Sequence, residues 1–133
     1  MNIKVLLCNC KGLCASFKDT GMNTLPFQVE SELDVKYSVV HPQLCGQGGN
    51  EILTEVLRES ATDPETYVVV DACAPEIQTK LFKKVLRNAA FDQKRFVPLD
   101  IRGTDNDGIL ARLREKVEPL LKLDQKAPAE SGT

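Results

Sequence analysis

Hydrophobic runs alternate along the chain with stretches whose apolar residues recur every three or four positions. The runs are rich in β-branched side chains and predict strands, at Ile3–Leu7, Val35–Val40, Tyr67–Ala72 and Phe96–Leu99. The stretches between and after them have the spacing of amphipathic helices. This β-α-β-α-β-α-β-α order predicts a single-domain, three-layer α/β fold with a four-stranded parallel sheet and helices on both faces. We expect the Rossmann-like, flavodoxin-like strand order 2-1-3-4.

The predicted strands differ in how apolar they are. The first and third runs are nearly continuous apolar segments, which is typical of strands buried in the centre of a parallel sheet. The fourth run contains Pro98, which has no N–H for a ladder, so we expect this strand at an edge. Asn50 is the expected N-cap of the second helix. Pro75 opens the third helix, whose predicted buried stripe is Ile77, Leu81, Phe82, Val85, Leu86 and Ala89.

The last third of the chain predicts one more helix and a tail. We interpret Asp105-Asn106-Asp107 as a helix cap and not as a calcium site. Pro119 is expected to kink or end the helix. Residues 124–133 lack apolar anchors and are predicted to be a flexible tail, so the folded domain is expected over residues 1–123.

Charge and hydropathy exclude several classes of function. The formal net charge is −2 without a basic run, which argues against nucleic-acid binding. No apolar stretch approaches the roughly 18 residues of a membrane span, and we expect no membrane insertion. Lys4 interrupts a short, strand-like apolar run, so the start of the chain does not have the pattern of a signal peptide. We therefore expect a cytoplasmic protein whose thiols are reduced.

Cysteine is the candidate chemistry of this chain. There are five, Cys8, Cys10, Cys14, Cys45 and Cys73. An odd number in a reducing compartment favours a metal, an iron–sulfur cluster or thiol chemistry over a disulfide framework. Cysteine is also a common core residue, so purely structural cysteines are an alternative.

The cysteines follow three different predicted strands. Cys8 and Cys10 end the first, Cys45 comes shortly after the second, and Cys73 comes directly after the third. The carboxyl ends of parallel strands share one edge of the sheet, with neighbouring strands about 4.8 Å apart. We therefore expect these thiols to meet at one site.

Other residues near this edge fit an anionic guest. Glycine permits close backbone approach, and the turns contain Gly12, Gly46, Gly48 and Gly49. The N-termini of the helices after Cys45 and Cys73 favour negative charge. Further candidates are His41, Lys11 and Arg102, which would tune the potential of a cluster or balance its charge, and Asp71, which would cap a turn.

The residues alone leave the occupant open. Thiolate-only ligation fits a [4Fe-4S] cluster or tetrahedral zinc. The C-x-C-x3-C spacing matches neither a zinc ribbon nor the C-x2-C-x2-C run of a bacterial ferredoxin. A third possibility needs no metal, namely dithiol or persulfide chemistry at Cys8 and Cys10 in a redox enzyme or sulfur carrier. A binding module with structural cysteines is the remaining alternative.

Four segments carry a resemblance to a known family. They are L-L-C-N-C-K-G at 6–12, Q-L-C-G-Q-G at 43–48, V-V-V-D-A-C-A-P at 68–75 and D-I-R at 100–102. In this order they resemble the N-terminal domain of the A subunit of heterodisulfide reductase and its relatives in anaerobic electron-transfer complexes. The resemblance implies a small α/β module over residues 1–123 that binds an iron–sulfur cluster. The implied ligands are Cys8, Cys10, Cys45 and Cys73, and the implied cofactor-binding residues are Gly12, Gly46, Gln47 and Arg102.

The resemblance also implies a role in a larger assembly. The flavin domain and ferredoxin motifs of the family are absent from this sequence, so we expect an electron-transfer subunit of an oxidoreductase complex and not a stand-alone enzyme. The implied partner is a redox protein such as a flavin-containing heterodisulfide-reductase-like subunit or a hydrogenase. Two departures stand out: no cysteine follows Arg102-Gly103, and Cys14 is additional. Cys14 is a possible fifth ligand, a replacement ligand or a free thiol.

Overall fold

The computed structural model contains a four-stranded parallel sheet in the order β2-β1-β3-β4, as predicted. The structure describes residues 1–8 and 19–131, with side chains through Leu123. The strands are β1 (Asn2–Cys8), β2 (Tyr37–His41), β3 (Thr66–Ala72) and β4 (Phe96–Asp100). The central pair is β1 and β3, and the proline-containing β4 lies at an edge, as expected from its missing N–H.

Helices cover both faces of the sheet. They are α1 (Leu25–Glu32), α2 (Gln47–Ala61), α3 (Pro75–Leu81), α4 (Lys83–Asn88) and α5 (Asn106–Ser131). One core cluster joins the sheet to α1 and α5, and the other joins it to α2, α4 and Phe82. Side chains of one strand alternate between the two clusters, as the period of two requires: Val69 belongs to the first, Val68 and Val70 to the second.

Helix α2 begins earlier than its sequence suggests. Gly46 and not Asn50 is its N-cap, so the prediction for Asn50 was wrong. The Asn50 side chain instead donates to the carbonyl oxygens of Leu44 and Gly46, at 3.1 and 2.6 Å. At Gly49 a Cβ would overlap the carbonyl oxygen of Gln43, so only glycine lets the helix start pack against this turn. The first turn of α2 is thereby fixed against the segment that carries Cys45.

The third predicted helix is two helices. The chain breaks at Phe82 between α3 and α4, and the predicted stripe is only partly buried. Phe82, Val85, Leu86 and Ala89 are buried, but Ile77 and Leu81 are each 46% exposed, contrary to the prediction. The fully buried side chain of α3 is Gln78, whose amide has backbone partners that the hydrophobic pattern does not reveal.

Helix α5 is joined to α1 through polar contacts at its start. Asp105 accepts from the Gly108 amide at 2.9 Å, so the expected cap is present. The Asn106 amide donates to Gln28 at 2.8 Å and to the Gly21 carbonyl at 3.1 Å. The helix does not end at Pro119 but continues to Ser131. The backbone of residues 124–131 is therefore helical, while the flexibility of this tail stays a prediction.

No helix in the described part of the chain is both long and apolar enough to cross a membrane.

Candidate functional site

Three cysteines from three different turns line one cavity at the carboxyl-terminal edge of the sheet. They are Cys8, Cys45 and Cys73, and the volume of the cavity is about 60 Å³. The other lining side chains are apolar: Leu44, Ala72, Leu81 and Phe82. The parallel topology thus brings together sulfurs that lie 37 and 28 positions apart in the sequence. Of the described residues that line this cavity, the three cysteines are the ones with polar side chains.

Cys8 is placed by the centre of the sheet. It is the last residue of β1, pairs in register with His41 of β2, and is buried. Its thiol donates a long, weak hydrogen bond to the Pro42 carbonyl oxygen at 3.9 Å. A thiol on a buried central strand has little freedom to move, so Cys8 is the fixed side of the cavity.

Cys73 is held by the amide of a buried glutamine. It follows β3 directly, and the Gln78 side chain donates to the carbonyl oxygens of Cys73 and Leu99, at 2.8 and 3.1 Å. Gln78 therefore ties the turn after β3 to the end of β4. No sequence signal indicates this role, because Gln78 is polar and lies outside the predicted apolar stripe, as a surface residue would.

Cys45 is the solvent-facing side of the cavity. It is exposed and lies in the turn between β2 and α2, one residue before the Gly46 cap. The Gln43 amide lies 3.9 Å from the Cys45 sulfur, as a donor. Gln43 was missed in the sequence, where its position two residues before Cys45 is the one available signal. The exposure of Cys45 gives solvent or a partner access to the thiols.

The thiol of Cys73 is shifted toward its neutral form. Burial raises its pKa, and the neighbouring Cys45 and Cys8 raise it further. A hydrogen bond with its own backbone and the positive charge of Arg102 act in the opposite direction. The influence of Cys45 and Cys8 on this pKa disfavours a Cys73 thiolate unless a cation compensates the negative charge.

The remaining predicted residues have varied placements. Arg102 forms a two-pronged ion pair with Asp100, with Nε–Oδ1 and Nη2–Oδ2 distances of 3.1 and 3.0 Å. The His41 ring accepts at Nδ1 a hydrogen bond from the backbone N–H of Gln43 at 2.9 Å, which is the arrangement of a turn histidine. Gly46 caps α2, and Gln47 is exposed in a different surface cavity from the thiols. The roles of Gly46, Gln47 and Arg102 in cofactor binding stay predictions.

Four predicted residues lie outside the part of the chain that the structure describes. They are Cys10, Lys11, Gly12 and Cys14. Within residues 1–8 and 19–123, no three or more histidine, cysteine, aspartate or glutamate side chains are arranged to hold a single metal ion.

Asp71 is a fully buried carboxyl on the other face of the sheet. It lies two positions after Val69 on β3, on the face that α1 and α5 cover, and neither oxygen has a hydrogen-bond partner within the described residues. Burial raises its pKa well above the ordinary 3.8. Among the described residues Asp71 caps no turn, contrary to the expected role, since its oxygens accept no hydrogen bond from them.

Replacing Asp71 with leucine should stabilise the protein at pH 7 by about 1–3 kcal/mol, because an unsatisfied buried polar group is removed. The raised pKa means that the folded state keeps a proton that the unfolded chain releases. Stability is therefore greatest below the ordinary value of 3.8 and falls as pH rises toward the folded-state pKa. In urea denaturation from pH 4 to 8, the free energy of unfolding of Asp71→Leu should exceed that of the wild type by an amount that grows with pH. Asp71→Asn, which cannot titrate, should flatten the same dependence, and a loss of stability in Asp71→Leu at pH 7 would refute this account.

Comparison with known proteins adds no identification. No family model matches the chain, and no curated protein matches it at a significant level. The site is therefore interpreted from its own geometry, and the resemblance to the heterodisulfide reductase family stays a hypothesis.

Proposed function

We propose that this protein is an iron–sulfur electron-transfer protein that binds a [4Fe-4S] cluster through cysteine thiolates at the carboxyl-terminal edge of its sheet. The observation that carries the proposal is the single cavity lined by Cys8, Cys45 and Cys73. Such clusters are held by four cysteine thiolates. Cys10 is the proposed fourth ligand, with Cys14 as the alternative, on the sequence pattern alone.

The cavity walls fit such a cluster. Among the described residues its lining is thiol and hydrocarbon, without a carboxylate or amine that would compete for iron or need solvation of its own. Gly46 at the start of α2 follows Cys45 directly, so the positive end of the helix dipole faces the turn that bears this ligand. Held by these thiolates, such a cluster would supply one-electron redox chemistry at this edge of the sheet.

We propose a cluster in preference to zinc. Ligands of a single ion must converge on one point, at Zn–S distances of about 2.3 Å. No such convergence exists among the described residues, although three thiols share one cavity. In a four-iron cluster each thiolate binds a different iron atom, so its ligands stand farther apart. Zinc stays the alternative metal.

One positive charge of this chain, that of Arg102, favours the anionic cluster. Arg102 lowers the pKa of Cys73 and so favours its thiolate form, although burial is the larger influence and raises that pKa. Its own ion pair with Asp100 fixes the orientation of this guanidinium beside the cavity. We infer that Arg102 balances part of the cluster charge, as the resemblance implies.

The wider role follows from the resemblance. We propose that the protein is a subunit or relay for a flavin-containing, heterodisulfide-reductase-like partner or a hydrogenase, in an anaerobic, cytoplasmic redox system. The exposure of Cys45 supports a site within reach of such a partner.

Anaerobic purification followed by iron and sulfide analysis tests the proposal. We expect about four irons and four acid-labile sulfides per chain, and an electron paramagnetic resonance signal in one redox state. Iron-free protein that acquires a persulfide at Cys8 or Cys10 when given a sulfur donor would support the thiol-enzyme or sulfur-carrier alternative instead. Iron-free, thiol-inert protein whose Cys→Ser variants differ only in stability would support a binding module with structural cysteines.

A further inference from the structure

Positive charge is concentrated in one segment of this acidic chain. Residues 80–95 contain six basic residues and one acidic residue, whereas the whole protein has a formal charge of −2. The segment spans the end of α3, all of α4 and the 3-10 helix Gln93–Arg95. The proposed electron-transfer role leaves this asymmetry unexplained.

Three of these basic side chains line one open surface cavity, which we call the basic face. They are Lys80, Lys83 and Arg87, in a cavity of about 560 Å³. The Thr79 and Gln93 side chains also line it, over an apolar floor of Leu86, Ala90 and Phe91. No carboxylate from residues 1–8 or 19–123 lines the cavity. An anionic surface could therefore approach three cations without meeting a like charge.

The basic residues of this face are not used within the fold. None of the ion pairs in the described part of the chain involves Lys80, Lys83 or Arg87, and all three are exposed. Lys83 and Arg87 stand four residues apart on α4, where like charges repel one another by a few tenths of a kcal/mol. Folding alone does not favour this grouping, whereas an external anionic partner would offset the repulsion.

The basic face and the thiol cavity meet at the junction of α3 and α4. Lys80 and Lys83 line the basic face, and the two residues between them, Leu81 and Phe82, line the thiol cavity. A partner bound on the basic face would contact the same turn of chain that forms a wall around the thiols.

We propose that the basic face docks the acidic surface of a redox partner protein. The proposal rests on the electron-transfer function and names the chemistry of the partner: carboxylates that complement Lys80, Lys83 and Arg87. A nucleic acid would need a more extensive basic surface than three residues on an acidic protein. Docking by charge accelerates the encounter of two proteins and weakens as salt screens it.

Binding to two acidic redox proteins, a plant-type [2Fe–2S] ferredoxin and a flavodoxin, tests this proposal. We expect salt-dependent binding of at least one, with an affinity that falls at least tenfold between 20 and 200 mM NaCl. The triple variant Lys80→Gln, Lys83→Gln and Arg87→Gln should lose at least tenfold in affinity at low salt. The matched control Lys36→Gln, Lys116→Gln and Lys122→Gln changes net charge equally at exposed lysines elsewhere and should bind as the wild type does.

The outcomes separate this proposal from the proposed function. Binding is measured on protein with and without iron, so a chain that lacks a cluster can still show docking. Salt-independent binding, no binding of either probe, or equal losses in the two triple variants would overturn the docking proposal. In loaded protein, the basic-face variant should also slow electron transfer from reduced ferredoxin at least tenfold, while reduction by a small neutral reagent keeps its wild-type rate.

Discussion

Replacing Cys45 with alanine should abolish cluster binding, so that iron falls from about four per chain to less than one. Cys45 is the most informative ligand to remove because it is exposed, and its loss leaves no void in the core. Cys8 is buried in the core cluster beside α2, so its replacement combines loss of a ligand with loss of packing. Iron and sulfide analysis of anaerobically purified variants measures the effect.

Two controls separate ligation from folding. Glu51→Ala changes an exposed side chain on α2, the helix that begins beside Cys45. This variant should keep the full iron content of the wild type. The free energy of unfolding of iron-free Cys45→Ala should lie within about 0.5 kcal/mol of that of the iron-free parent, as for other surface changes. If Cys45→Ala retains wild-type iron, Cys45 is not a ligand.

Replacing Arg95 with methionine should destabilise the fold by about 3–5 kcal/mol, the scale of breaking a buried charged network. Arg95 is 8% exposed, and its guanidinium donates to the carbonyl oxygens of Ser60, Ala61, Asp63 and Thr66. It also lies 4.6 Å from the centre of the Phe91 ring. One side chain thus donates hydrogen bonds to the carbonyl groups at the end of α2 and the start of β3. Methionine would leave these carbonyls without their donor.

Chemical denaturation of Arg95→Met measures this loss against two other variants. Arg95→Lys keeps the charge but not the planar fork of donors, so its loss should be intermediate. Arg58→Met changes an exposed arginine on α2, the helix whose end Arg95 contacts, and should cost less than about 0.5 kcal/mol. Equal stability of Arg95→Met and Arg58→Met would show that the buried guanidinium contributes nothing. Folded Arg95→Met should still bind iron, because none of these contacts involves the thiol cavity.

The sheet could be predicted from the sequence because its information is local. The valine run of β3 and the apolar run of β1 specify central strands, and Pro98 specifies an edge. From parallel pairing it then follows that Cys8, Cys45 and Cys73 share one edge. Their common cavity is therefore the part of the candidate site that sequence reasoning reached.

The errors arise where polar side-chain contacts override the local hydrophobic pattern. Asn50 has the residue type of an N-cap, but its side-chain amide donates to the Leu44 carbonyl oxygen, and α2 begins earlier. Ile77 and Leu81 fit a helical stripe, but the break at Phe82 turns α3 so that Gln78 is buried in their place. The partners of Gln78 lie on another turn and another strand, and single-sequence patterns do not contain that information.

Differential alkylation of the thiols tests the central claim most directly. Two samples are compared: anaerobic, cluster-loaded protein, and the same protein after a chelator and an oxidant have removed the cluster and the thiols have been reduced again. Both are treated with iodoacetamide and analysed by peptide mass spectrometry. We predict that Cys8, Cys45 and Cys73 are protected together in the loaded protein, and that the exposed Cys45 becomes reactive once iron is removed. Equal alkylation of Cys45 in loaded and stripped protein would show that these three turns do not share one inorganic occupant.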